Sequence, residues 1–477
     1  MSAGERRVAR GERQTSGSRR QEAGPGTRYI STRGNTPAVG FSEAVAHGLA
    51  PDGGLFIPAS LPDLRPHLAA YGKLGYEELA FEFLRLFADD IPPSELREII
   101  AGAYAIFDHP ERAPLVKLAD DLWVLELFHG PTLAFKDFAL QILGRLYERQ
   151  VRLSGKHITV LGATSGDTGS AAIHGLEGRP GVRIFILYPL GRIAPLQERQ
   201  MACTGADNVF PIAIPGSFDD AQRIVKEIFG DRAFVAEVGL SAINSINLAR
   251  VLAQCVYYLW ARLKLSAAGV GEAEFVVPTG NFGNVLAGWL LGRMHVPGLR
   301  FCVATNRNDI LHRFFTTGEY IAGAVEPSLA PSMDIQVASN FERYVYFLED
   351  GDSARVRSVM ADVAAGRGYV SKHPSLGAMR SARLDDAGIR DVIKQVHANY
   401  GYVADPHTAC GFAVPAGGTP RVILATASPA KFPDVVEETV GVHATHPTLD
   451  ALLHRPIARY EVAASVPAVR EFLRAHA

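Results

Sequence analysis

The spacing of apolar and polar positions changes character along the chain. Up to residue 26 large apolar side chains are almost absent, so this stretch cannot bury enough surface to order itself. Ser42 is placed to cap a short helix over Ser42–His47 that Gly48 stops. Asp52-Gly53-Gly54 reads as a turn. Leu79, Phe83 and Leu86 recur on one face of a helix over Gly75–Asp89, and residues 94–106 form another after Pro92-Pro93. From about residue 120 the pattern becomes strand, glycine-rich loop, helix, repeated. Trp123–Leu127, Ile158–Leu161, Val182–Leu187, Val209–Ile214, Phe275–Val277, Phe301–Ala304 and Val422–Ala425 are short apolar runs of the buried-strand type. Helices are expected from Gln197, over Ala221–Phe229 behind a Ser217/Asp220 capping box, and over Val285–Met294. Short buried strands alternating with helices indicate an α/β protein with parallel sheets covered on both faces.

Composition narrows the class without changing this picture. With 477 residues, 47% hydrophobic and 21% charged, the chain has material for two or three domains of roughly 150 residues each. The formal charge is −2, which gives no reason to expect a nucleic-acid partner. Residues 1–28 hold seven Arg and three Glu, or +4, which leaves −6 for the remainder. The tail lacks the apolar run of a signal peptide, and its three Glu count against a transit peptide. No run of eighteen uncharged apolar residues appears, so no membrane span is expected. Cys203, Cys255, Cys302 and Cys410 are widely spaced, which favours reduced thiols and a cytoplasmic location over a zinc site or disulfide framework. His443 and His446 lack further ligands at metal-site spacing.

Three loops carry candidate chemistry at strand-to-helix junctions, where sheets of this kind bind ligands. Thr279-Gly280-Asn281-Phe282-Gly283-Asn284 offers backbone N–H groups and a helix N-terminus to an anion such as phosphate. It matches neither a dinucleotide fingerprint nor a P-loop. Thr164-Ser165-Gly166-Asp167-Thr168-Gly169 offers hydroxyls, backbone donors and one carboxylate, suited to an amino-acid carboxylate. Lys136 lies between Phe135 and Asp137 at a helix start, where desolvation by Phe135 and Phe138 would favour the free amine that a Schiff-base nucleophile needs. Singly, the two loops are equally ordinary capped turns and Lys136 an ordinary helix lysine.

Taken together, these residues sit in longer motifs: YISTRG (29–34), LAPDGGLFIP (49–58), FHGPTLAFKDFALQ (128–141), GATSGDTGSAA (162–172), ILYPLGRIAPLQERQM (186–201), NSINLARVLAQ (244–254), VPTGNFGNVLAG (277–288), ATNRNDIL (304–311) and DPHTA (405–409). In this order, from about Tyr29 to residue 440, the chain resembles the threonine synthase family, in its yeast and bacterial branch. The resemblance implies a pyridoxal-5'-phosphate enzyme of the tryptophan-synthase-β-like fold (fold type II), with an added N-terminal helical subdomain. It implies a Schiff base between the cofactor and Lys136, the cofactor phosphate held by Gly280, Asn281, Phe282, Gly283 and Asn284, and Thr426 facing the pyridine nitrogen. The substrate amino acid would be held by Thr164, Ser165, Asp167 and Thr168. Two departures stand out: Asn284 replaces a frequent Asp, and Ala427-Ser428-Pro429 replaces Ala-His-Pro.

The implied reaction converts O-phospho-L-homoserine and water to L-threonine and phosphate, the last step of threonine biosynthesis. Lys136 would act as base at Cα and Cβ. A dianionic leaving group calls for cations, and Arg33, Arg192 and Arg307, with Asn306, are the candidates. A related phospho-lyase releasing a keto acid would use the same machinery, while a non-catalytic binding protein would have no need of Lys136, and an ATPase lacks its Walker lysine. The expected organisation is a basic tail (1–26), an N-terminal subdomain (27–115), a large cofactor-binding domain (116–155 and 240–477) and a small substrate-binding domain (156–239). Monomer and dimer both remain open.

Overall fold

The computed structural model describes residues 26–164, 166–242, 245–371, 373 and 379–477. The expected basic tail lies almost wholly outside them, as does Ser165.

Two parallel sheets organise the chain. The larger runs Met379–Arg383, Leu299–Thr305, Ala273–Pro278, Arg421–Ala425, Leu122–Glu126 and Leu115–Ala119, parallel throughout except for the last pair. Its central strands are buried on both faces, which is why they read as continuous apolar runs, with Ile423 in register with Val124 on one side and Val276 on the other. The smaller sheet, all parallel, runs Tyr460–Glu461, Val209–Ile214, Val182–Pro189, Ile158–Ala163 and Leu240–Ala242. This sheet corrects the expected boundary: Leu240–Ala242 and Tyr460–Glu461 pair with the small unit, although 240–477 was assigned wholly to the large one. Helix Val466–His476 follows them there, placing Phe472 edge-on to Phe185 and Phe210.

The N-terminal unit is built on a two-stranded antiparallel sheet, Tyr29–Ser31 with Phe56–Pro58, and four short helices. Ser42 does not cap the first of them. That helix is Phe41–His47 behind Gly40, and Ser42 instead hydrogen-bonds Asp90 through both its N–H and its hydroxyl. The helix expected over Gly75–Asp89 is shorter, Tyr76–Leu84, because the chain turns back at Arg85–Ala88. The Ser217/Asp220 capping box is present, on helix Phe218–Gly230.

Two long helices, Asp137–Ser154 and Leu248–Ala267, fill the middle of the molecule. The first crosses helix Asp167–Leu176 of the small unit at a pair of glycines. A Cβ on Gly144 would lie 1.9 Å from the Gly175 carbonyl oxygen, so backbone meets backbone there. This contact draws the start of helix Asp167–Leu176 towards Lys136.

Candidate active site

Strands Leu122–Glu126, Arg421–Ala425 and Ala273–Pro278 are neighbours, and the segments leaving their carboxyl ends form one cavity of about 690 Å³ including its mouth. The first segment carries Lys136. It turns through Leu133, whose φ is 59°, and is pinned by the Asp137 carboxylate, which accepts from the Thr132 N–H at 2.8 Å and the Thr132 hydroxyl at 2.6 Å. Phe135 N–H donates to the Thr426 carbonyl at 2.9 Å and Ser428 N–H to the Leu133 carbonyl at 3.0 Å. These two bonds set Lys136 and Thr426 side by side on the cavity wall. Ser428, which stands where relatives were expected to have histidine, also caps the turn Pro429–Lys431 by accepting from Ala430 N–H.

Lys136 is 8% exposed at the N-terminus of helix Asp137–Ser154, with Nζ 4.9 Å from the centre of the Phe135 ring. Burial lowers its pKa, Lys431 and Arg250 push the same way, and Asp167 opposes them. The positive end of the helix also disfavours an ammonium at this position. Phe138, expected to share in the desolvation, turns into the core against Tyr104 and Phe107. Asp167 lies 3.5 Å from Lys136 Nζ. Burial alone would raise the Asp167 carboxyl, but Lys431, Lys136 and His407 outweigh it and hold it well below the usual carboxylate range.

The glycine–asparagine loop forms the opposite wall. Phe282 adopts φ 64° ahead of helix Gly283–Arg293, and a Cβ on Gly280 would lie 2.9 Å from the Ser332 carbonyl. Asn284 accepts at Oδ1 from the hydroxyls of Tyr257 at 2.6 Å and Tyr258 at 2.8 Å, which leaves its Nδ2 buried with no partner among the described residues. A buried amide donor without an acceptor costs free energy unless a ligand supplies one. An unpaired donor, a helix N-terminus and a close glycine backbone together suit a phosphate. Across the cavity the Thr426 hydroxyl has no hydrogen-bond partner among the described residues, so it remains available to a pyridine nitrogen. The residues present therefore fit pyridoxal phosphate.

The remaining sequence candidates divide sharply. Gly280, Asn281, Phe282, Gly283, Asn284, Thr426, Lys136, Asp167 and Thr168 all line the cavity. Thr164 does not: its hydroxyl accepts from Gly166 N–H at 3.0 Å and Gly169 N–H at 2.9 Å, shaping the loop. None of the candidate arginines lines the cavity either. Arg33 forms a two-bond pair with Glu342 at 3.0 and 2.9 Å, Arg307 pairs with Asp386 at 2.8 Å, and Arg192 is exposed. Asn306 is buried and donates to Ser328 and Asp334, supporting the segment that leads to Ser332. Carboxylate partners claim Arg33 and Arg307, loop geometry claims Thr164 and Asn306, and Arg192 faces solvent.

The arginine that lines the cavity is Arg250, with Gln254 one turn further on. Burial lowers the pKa of Arg250 to about 10, so it stays cationic at neutral pH. Polar residues four apart in an otherwise apolar helix, LARVLAQCVYYLW, are the signal that would have found this pair. Ser245, Ser332, Met333 and His407 are further lining residues that the sequence reading missed.

A buried lysine at a helix start, facing a loop suited to phosphate and a threonine hydroxyl, defines the class of the protein: a pyridoxal-phosphate-dependent enzyme. The family model described as "Pyridoxal-phosphate dependent enzyme" matches residues 106–421. Models described as "Threonine synthase N terminus" and "Threonine synthase, C-terminal" match residues 28–104 and 408–473. The chain belongs to the threonine synthase family. It is 44% identical over 423 residues to threonine synthase of Pseudomonas aeruginosa, covering 86% of this chain and 90% of that one. To the Schizosaccharomyces pombe threonine synthase it is 41% identical over 455 residues, covering 86% and 88%. The structure of pyridoxal-phosphate-bound threonine synthase from Brucella melitensis superposes with a TM-score of 0.90 at 40% identity, covering 94% of this chain and 99% of that one. The fold, cofactor and enzyme class expected from the motifs are therefore borne out. Among the described residues no helix is long and apolar enough to cross a membrane.

Proposed function

We propose that this enzyme converts O-phospho-L-homoserine and water to L-threonine and phosphate, using pyridoxal phosphate carried on Lys136. The observation that carries the reading is the convergence of Lys136, Thr426, the 280–284 loop and Asp167 on one cavity. Pyridoxal phosphate, when bound, supplies the electron sink for carbanion chemistry next to the substrate nitrogen. Asn284 Nδ2 and the N-terminus of helix Gly283–Arg293 would hold its phosphate, and the Thr426 hydroxyl would face its ring nitrogen. As a neutral hydroxyl, Thr426 would orient the ring without supplying a full proton.

Lys136, kept below its ordinary pKa, is the base that takes protons at Cα and Cβ of the substrate. Thr168 and Asp167 form the wall on which the amino-acid end rests. Arg250, and not Arg33, Arg192 or Arg307, is the cation that offsets the charge of the substrate phosphate. Lys136 and Arg250 are both largely buried, which limits competing water at the proton-transfer site.

Purified enzyme assayed with O-phospho-L-homoserine should release threonine and phosphate in equal amounts, and Lys136→Ala should lose both together with the visible absorption band. Phosphate accompanied by keto acid and ammonia in place of threonine would assign the enzyme to the phospho-lyase reading.

A further inference from the structure

Asp167 faces two lysines and serves them unequally. Lys431 reaches it from the turn Pro429–Lys431, with Nζ 2.8 Å from Asp167 Oδ1 and its side chain 1% exposed. The same Nζ donates to the Thr132 carbonyl at 2.8 Å, so its position is fixed from two sides. Gln197 Nε2 donates to Oδ1 at 3.0 Å, and the Ser332 hydroxyl donates to Oδ2 at 2.7 Å. What remains for Lys136 is the long contact of 3.5 Å to Oδ2. Three further charged or titratable groups face this cluster: Asp137, whose carboxylate shares Thr132 with Lys431 and lies in its field, and two groups in the cavity lining. Arg250 lines the same cavity as Lys136. His407, also in the lining, contacts Asp405 through Nδ1 at 2.9 Å and accepts the Ser332 N–H at Nε2 at 3.2 Å.

The proposed reaction needs Lys136 as a free amine at least twice. A carboxylate next to it in a buried site, left without another partner, would hold it as an ammonium and remove it as a base. We propose that Lys431 is a charge-balancing residue, positioned to pair with Asp167 so that Lys136 remains a usable base. It acts through Asp167 and does not line the cavity. The 2.8 Å contact to Lys431 against 3.5 Å to Lys136 is the asymmetry this requires. The opposing pulls on Lys136, with Lys431 lowering and Asp167 raising its pKa, agree with it. This rests on the reading of Lys136 as the cofactor-bearing base.

The test compares Lys431→Met, Lys431→Gln and Lys431→Arg with wild type, each as holoenzyme. Two quantities are read: the pH titration of the visible absorption band without substrate, and the acidic limb of kcat with O-phospho-L-homoserine. In the Met and Gln variants both should move up by about one pH unit or more, the effect of one neighbouring charge at this range. On the acidic side that amounts to roughly a tenfold loss of kcat. Lys431→Arg, which keeps the charge, should stay near wild type. Lys431→Gln keeps a donor for Thr132 and decides the matter if the Met variant does not fold. A folded neutral variant with an unmoved titration would overturn the proposal, as would an Arg variant shifted as far as Met. Absence of the band in wild type would instead remove the reading of Lys136, and this inference with it.

Discussion

Gly144→Ala tests whether the glycine contact between the two central helices sets the active-site geometry. The added Cβ would lie 1.9 Å from the Gly175 carbonyl oxygen and 2.7 Å from its carbon. A carbon–oxygen contact settles at about 3.3 Å, so the helices must part by about 1.4 Å. Neither partner is a flexible side-chain end, so the backbone must give. Overpacking of this kind costs about 1–3 kcal/mol, offset by up to ~1 kcal/mol for replacing a helical glycine with alanine. Net destabilisation of about 1–2 kcal/mol is expected in urea unfolding of the holoenzyme. Asp167 begins the helix that carries Gly175, about 12 Å away at 1.5 Å per residue, so it moves with that helix. The wall formed by Asp167 and Thr168 should shift by about an ångström relative to Lys136, and this misplacement of the substrate's resting surface should lower kcat by roughly tenfold to a hundredfold. A variant with wild-type kcat that is more stable than the parent would refute the reasoning, since helix propensity alone would then govern the site.

Three further outcomes follow from side chains already placed. Asn284→Leu removes the donor and strands the Tyr257 and Tyr258 hydroxyls, so cofactor dissociation measured by fluorescence titration should become about tenfold to a hundredfold easier. Arg33→Ala should cost about 1–2 kcal/mol of stability by freeing the largely buried Glu342, with KM for O-phospho-L-homoserine nearly unchanged, whereas Arg250→Ala should raise that KM steeply. His129 contacts Asp108 at 3.0 Å and Glu126 at 2.9 Å, and although burial disfavours its charged form, these carboxylates raise its pKa above the ordinary 6.5. Its contribution to stability is thus complete below pH 6.5 and is lost as pH rises through the raised folded value, so His129→Gln should lack that alkaline decline in thermal melts.

The sequence made local features legible and left charge pairing hidden. Strands such as Val209–Ile214 could be read to the residue because burial on both faces leaves an uninterrupted apolar run. The capping box at Ser217 could be read because both its bonds lie within four residues. Ser42 could not, since its partner Asp90 arrives from the turn between helices Tyr76–Leu84 and Pro93–Tyr104, and the capping position falls to Gly40. The cofactor cradle was legible because each of its loops belongs to one strand end and one helix start. The arginines were not: whether Arg33 faces a ligand or Glu342 depends on a partner three hundred residues distant. Lys431 follows Thr426 by five residues with nothing local to mark it, and only the fold brings it against Asp167.

The return of Tyr460–Glu461 and helix Val466–His476 to the small sheet bears on the order in which the protein is made. During synthesis the strands Ile158–Ala163, Val182–Pro189 and Val209–Ile214 emerge early, yet the edge of Val209–Ile214 stays open until residue 460 follows. Phe185 and Phe210, stacked at 4.5 Å, likewise wait for Phe472 to cover them. An unpaired apolar edge and two bare aromatic rings are sites of mispairing between nascent chains. The ribosome therefore delivers Lys136 long before the small unit can close beside it, and through that interval the growing chain carries an apolar edge open to aggregation.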